Sequence, residues 1–332
     1  MIFALYYIKK RFQLGIHIIL VLFSVLLIAT LFTIDTFSEM KFSVWIEAAR
    51  IRTLPASLIP VLVGASLAWN HDHFHLPATV VALICAILIQ IGTNFANDYF
   101  DFRNGADTSD RVGFVRASAS GEIAPNVMFG AAVVTFSLAF LLGLYLVFHA
   151  GWPILVIGTA SIACGVLYTG GPFPLAYNGL GDVFVFIFFG LVAVMGTYYV
   201  NALQWSAEAF WAAVAVGALS TMILTANNYR DVHTDLKASK RTLAVLLGER
   251  FTRWQYLLLT LLAFAIPPHF YFRESYDPVI LLPMVLIIPA AMLVYRFWKE
   301  TRKEQFNAIL IRTARFMTAF GVLFSLGIVL SR

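Results

Sequence analysis

Long apolar runs, each close to the roughly 20 residues needed to cross a bilayer as a helix, alternate along this chain with short polar segments. Nine runs form a core series near 54–70, 77–96, 127–148, 152–169, 180–200, 209–226, 255–272, 278–296 and 309–330. None has the period-two alternation of a half-buried strand, and the ~10-residue alternating segments of a membrane β-barrel do not occur. The pattern predicts an all-α polytopic membrane protein with nine core spans.

A further apolar run, residues 15–34, follows Lys9, Lys10 and Arg11 and stands apart from this series. Were it a span, one of its two basic flanks would lie on the wrong side of the membrane. No small-residue cleavage site marks it as a signal peptide. Residues 1–40 are therefore expected to be a dispensable N-terminal extension with an apolar segment, and residues 41–332 the functional membrane domain.

Charge sharpens the picture. Charged residues make up 12% of the chain, against about 25% in a soluble domain, and they gather between the runs. With the segment before the first core span on the cytoplasmic side, about 18 of the 23 Lys and Arg lie on that face, and Arg273 and Arg332 on the other, an asymmetry that sets orientation by the positive-inside rule. The protein is thus expected in the cell (inner) membrane, multi-pass, with its longest loops cytoplasmic. The net charge of +5 reflects this sorting, and nucleic acid is excluded as a partner. Cys85 and Cys164 each sit inside an apolar run and read as packing residues.

The chemistry lies in two cytoplasmic segments. The first opens NFANDYFDFRNGAD, with Asn94, Asn97, Asp98, Asp101 and Asp107; the second opens NNYRDVHTD, with Asn227, Asn228, Asp231 and Asp235. Asn227, Asp231 and Asp235 are spaced four apart, which aligns them on one helix face over about 12 Å. Asn97 and Asp101 repeat that spacing, so the chain reads as two similar halves. Ionised carboxylates clustered near hydrocarbon call for a cation. Hard oxygen donors suit magnesium, which takes phosphate oxygens as further ligands. Arg50 and Arg52 precede the first core span, Arg111 and Arg116 follow the first cluster, and Lys237, Lys240 and Arg241 follow the second. Such cations neutralise a departing diphosphate.

These motifs, with ARIRTLP (Arg50 to Pro55), DRVGFVR, LYTGG, GLGDVFVFIFFG and KRTLAVLLG, resemble the UbiA superfamily of intramembrane aromatic prenyltransferases, and within it the 1,4-dihydroxy-2-naphthoate polyprenyltransferase branch. The likeness covers roughly residues 41–330. Asn227, Asp231 and Asp235 match the family's second motif. In the first, Asn97 and Asp101 match, but Gly105 takes the last Asp position and Asp107 follows, a departure shared with the naphthoate branch.

The resemblance implies nine helices around a lateral chamber, with Asn97, Asp101, Asp107, Asn227, Asp231 and Asp235 holding two Mg2+ ions. It further implies that Arg50, Arg111, Arg116, Lys240, Asn94 and Asn228 bind diphosphate and that Tyr168 stabilises an allylic cation. The implied partners are a polyprenyl diphosphate, 1,4-dihydroxy-2-naphthoate and membrane lipid, and the implied products diphosphate, carbon dioxide and a menaquinone precursor.

Two alternatives stay open at this level. Another acceptor, 4-hydroxybenzoate or homogentisate, would keep the same superfamily. A cation-coupled transporter would also use intramembrane acids and paired halves, although both clusters here fall on one membrane edge whereas transporter sites favour the midplane. The loop NHDHFH (His71, His73 and His75) reads as a polar turn, Asp98 has no evident role, and Trp205 and Glu208 read as interfacial anchors.

Overall fold

The computed structural model describes residues 42–107, 113 and 116–331. The N-terminal extension and Arg111 lie outside the described residues. Every described element is helical. A short helix α1 (Phe42–Ala48) and one 3₁₀ turn (Ile51–Thr53) lead into α2 (Pro55–Asn70), α3 (Leu76–Arg103), α4 (Pro125–Ala150) and α5 (Trp152–Leu167). After a 3₁₀ turn at Leu175–Asn178 come α6 (Gly181–Ala202), α7 (Ala207–Lys237), α8 (Leu243–Arg273), α9 (Pro278–Lys299) and α10 (Phe306–Leu330).

Local chemistry sets many of these boundaries. Pro55, Pro77, Pro125 and Pro153 occupy first turns, where a missing N–H costs nothing. The Ser206 hydroxyl caps α7 by accepting from the Glu208 and Ala209 amides.

Nine core spans were expected. Among the described residues, seven helices are long and apolar enough to cross a membrane, and an eighth passes if α1 and α2, bent by 50°, count as one. The expected spans at 54–70 and 152–169 are the exceptions. Both α2 and α5 have 16 residues, about 24 Å at 1.5 Å per residue, short of a hydrocarbon core about 30 Å thick. The two acidic segments, for which helical spacing is predicted, lie at helix ends. Asn94 to Asp101 form the last turns of α3, with Asp107 just beyond its end, and Asn227 to Asp235 the last turns of α7, because extending an existing helix is far easier than starting one.

Helix α7 is central: 83% of its apolar window is buried, and it packs against α2, α6, α8 and α10. Small residues make this possible. Ala212, Ala213, Ala215 and Ala218 are wholly buried, and α7 meets α6 where Gly217 faces Gly190 in a π-helical stretch of α6, Phe186–Val192. A Cβ on Gly190 would lie 2.6 Å from the Gly217 Cα, so only backbone fits. We predict that Gly190→Leu destabilises the protein by about 1–3 kcal/mol through overpacking, measured as thermal unfolding in detergent; an unchanged transition would show that the helices separate freely. The outer faces of α4, α8 and α9 expose Leu142, Leu258, Val285 and Ile288, as expected of surfaces against lipid.

Candidate active site

The polar ends of α3 and α7 come together at one end of the bundle. Between them lies a small polar pocket of about 60 Å³ lined by Arg50, Asn97, Asp101, Arg116, Tyr168, Asn227, Asn228 and Lys240. Beneath it runs a chamber of about 930 Å³, whose wall includes Phe140, Phe184, Phe188 and Phe189, with Ile154 and Val200 farther from the pocket. The two spaces share Arg50, Asn97, Arg116, Tyr168, Leu224 and Asn227. Helix α3 lines the chamber from Ala82 to Asp98, about 24 Å of helix. The two acidic segments, 130 positions apart in sequence, thus open onto one cavity.

Each candidate side chain has an identifiable setting. Asn97 Oδ1 accepts from the Thr169 hydroxyl at 2.8 Å. Asp101 Oδ1 accepts from the Tyr177 hydroxyl at 2.9 Å, and its Oδ2 is 3.8 Å from Arg116 Nη2. The same guanidinium reaches Asp107, with Nε 3.7 Å from Oδ1. On the opposite side, Lys240 Nζ is 3.6 Å from Asp235 Oδ1 and lies over the Tyr177 ring at 5.6 Å. Arg50 is held in the left-handed region at φ 54°, a conformation costing about 1–3 kcal/mol in a non-glycine residue and concentrated at functional sites. Burial, and next the negative charge of Asp101, push the Tyr177 phenol well above its ordinary pKa, so it remains a donor to Asp101.

Asp231 and Asp235 stand behind the pocket rather than in its wall. Arg230, buried beside Asp231, donates through Nε and Nη2 to both of its carboxylate oxygens, each at 2.7 Å. Nη2 also donates to Asn227 Oδ1 at 2.8 Å, and Nη1 to Asn307 Oδ1 on α10 at 2.9 Å. A second tie holds this end of α7: the Tyr229 hydroxyl donates to Glu249 at 2.7 Å, and Lys303 Nζ donates to Glu249 at 2.8 Å and to the Tyr229 carbonyl at 3.2 Å.

Asn94 and Asn228 differ from the other candidates. Asn94 lines the chamber, but its amide donates to the Ala49 carbonyl and fastens α3 to the end of α1. Asn228 turns towards Asp182. The role of Asp98 is now clear: its carboxylate accepts from the Ala117 and Ser118 amides at 3.2 and 2.9 Å. It thereby pins the turn that follows Arg116.

The remaining polar loops serve other ends. His71 bonds Tyr198 and Glu208, and the Tyr276 hydroxyl donates to Glu208, so Glu208 is a packing link rather than a free anchor. His75 caps α3, and Trp205 stacks on Tyr199. Cys85 and Cys164 both line the chamber.

The candidate donors are carboxylate and amide oxygens only, which fits magnesium rather than zinc or copper. Among the described residues, no three Asp, Glu, His or Cys side chains converge on one point. An ion here would complete its shell with waters and substrate oxygens, as magnesium commonly does.

Motif spacing did not reveal four residues of this site. Thr169 falls inside LYTGG and Asp182 inside GLGDVFVFIFFG, but neither has spacing that ties it to the acidic segments; Tyr177 lies in a short loop outside any motif, and Arg230 occupies a spacer position inside NNYRD.

The fold and site define a polytopic helical membrane protein whose cation-rich polar pocket opens onto an apolar chamber. The sequence profile of the UbiA prenyltransferase family matches residues 57–320, and the chain belongs to that family. It is 43% identical over 217 residues to a 1,4-dihydroxy-2-naphthoate octaprenyltransferase from Mycobacterium tuberculosis, covering 65% of this chain and 74% of that protein. Over 297 residues it is 36% identical to the Escherichia coli protein of the same name, covering 87% and 96%. Among solved structures, a UbiA homolog from Archaeoglobus fulgidus bound to DMAPP and Mg2+ superposes with a TM-score of 0.55 at 13% identity, covering 83% of this chain and 98% of that one.

Proposed function

We propose that this protein transfers a polyprenyl group from its diphosphate to 1,4-dihydroxy-2-naphthoate, with loss of diphosphate and carbon dioxide, yielding a menaquinone precursor. The observation that carries this reading is the junction between polar pocket and apolar chamber. One substrate, with a polyanionic head and a long apolar tail, fits both at once. The named relatives support the acceptor.

Asn97, Asp101, Asp107, Asn227, Asp231 and Asp235 would hold Mg2+, as the DMAPP- and Mg2+-bound fold relative encourages. Magnesium supplies positive charge that stabilises the leaving diphosphate. Arg50, Arg116 and Lys240 lie around the same pocket and add charge as the carbon–oxygen bond breaks. Thr169 and Tyr177 orient Asn97 and Asp101. Tyr168 lines both spaces, where an aromatic face stabilises an allylic cation. The Phe-lined chamber keeps water from capturing that cation.

In this reading the site lies on the cytoplasmic side of the inner membrane, where the Lys and Arg gather. Both acidic segments occupy the same end of the bundle, which disfavours a midplane transport site.

The test supplies membranes containing the protein with a prenyl diphosphate and a panel of acceptors. Dihydroxynaphthoate is expected to be prenylated with release of carbon dioxide, and chelation of magnesium to stop turnover. Prenylation of 4-hydroxybenzoate or homogentisate in its place would reassign the acceptor.

A further inference from the structure

Six acidic side chains surround the site, and one differs from the rest. Asp101 and Asp107 face Arg116, Asp231 is clasped by Arg230, Asp235 faces Lys240, and Asp98 is taken up by two backbone amides. Asp182, only 5% exposed, lines the polar pocket and forms no ion pair among the described residues. Its partners are neutral: Gln255 Nε2 donates to Oδ1 at 2.9 Å, Asn228 Nδ2 approaches Oδ2 at 3.4 Å, and the Thr225 hydroxyl and its own backbone amide also face the carboxylate. The second contact is long and easily replaced.

The backbone brings this carboxylate to the pocket deliberately close to Tyr168. Gly179 turns the chain at φ 74°, and Gly181 passes so near Tyr168 that a Cβ there would lie 3.0 Å from the phenol oxygen. Asp182 follows directly, in the first turn of α6. It therefore stands where the pocket meets the residue that faces both pocket and chamber. A carboxylate that balances no neighbouring cation is chemically suited to take a proton from a bound hydroxyl.

We propose that Asp182 is the general base for the aromatic acceptor, an inference resting on the function proposed above. The acceptor's ring hydroxyl would replace Asn228 on Oδ2. As the ring carbon bonds to C1 of the prenyl group, the hydroxyl O–H electrons become the second bond of a ring carbonyl, and the proton passes to Asp182. The prenyl C–O bond breaks and diphosphate leaves with its electron pair. The ring C–carboxylate bond then breaks, carbon dioxide departs, and the bond's electrons restore the aromatic ring. Asp182 returns its proton to the ring oxygen, so none is consumed and no oxidant is needed.

The test compares wild type with Asp182→Asn, using a prenyl diphosphate, magnesium and two acceptors: 1,4-dihydroxy-2-naphthoate and a ring-fluorinated analogue with a more acidic hydroxyl. With the natural acceptor kcat should fall about 10²- to 10⁴-fold, while KM for the prenyl diphosphate stays unchanged. The fluorinated acceptor, needing less help to ionise, should recover much of that loss. An equal loss with both acceptors, or an effect on KM alone, would overturn the base role and leave Asp182 a packing tie.

If the variant does not fold, single-turnover prenylation by wild type in D2O decides. Slowing supports proton transfer in the reacting step, and no slowing overturns it. Failure of wild type to prenylate any acceptor would instead reject the function itself, a result separate from either outcome for Asp182.

Discussion

Replacing Asp101 with Ala is expected to lower prenyl transfer by about 10³-fold or more, while the protein still inserts in the membrane. A metal clamp on a leaving phosphate contributes several kcal/mol, and about 1.4 kcal/mol corresponds to tenfold in rate. Asp101 lies at the centre of the donor set: buried in the pocket wall, it is oriented by Tyr177 and faces Arg116. Its loss removes a hard oxygen ligand and leaves Arg116 to turn towards Asp107, weakening both the metal site and the cation aimed at the diphosphate. The measurement is turnover against magnesium concentration, with membrane-inserted protein quantified in parallel. Activity within tenfold of wild type at every magnesium concentration would remove Asp101 from the mechanism.

Arg230→Met should have the largest effect on stability. Breaking a buried ion pair by deleting one partner costs about 3–5 kcal/mol, because the remaining charge loses its compensation. Arg230 is 2% exposed and reaches Asp231 twice, Asn227 once and Asn307 once, so a single guanidinium fastens the second acidic motif to α10. Thermal unfolding in detergent should show the loss. Arg230→Lys should recover only part of it, since an ammonium cannot reproduce the planar fork. A Met variant as stable as wild type would mean that α7 holds its polar end without this clasp.

Much of this architecture could be read from the chain itself. Hydrocarbon thickness sets the length of an apolar run, so most of the spans appear as runs of the right size. Helix geometry likewise makes i, i+4 spacing a statement about faces, so Asn97 with Asp101, and Asn227 with Asp231 and Asp235, could be grouped in advance. Run length is a weaker guide at two places. Helices α2 and α5 are apolar yet only 16 residues long, and the 50° bend between the segment ending at Thr53 and α2 is a feature no hydropathy pattern encodes.

The sequence alone determined that this is a helical membrane protein and which two short segments bear oxygen donors, because both follow from local periodicity and transfer energetics. Only the tertiary structure decided how those donors are held. Tyr177 reaches Asp101 across 76 positions and Arg230 reaches Asn307 across 77. Such partners are chosen by helix packing, and packing joins residues that no local spacing connects.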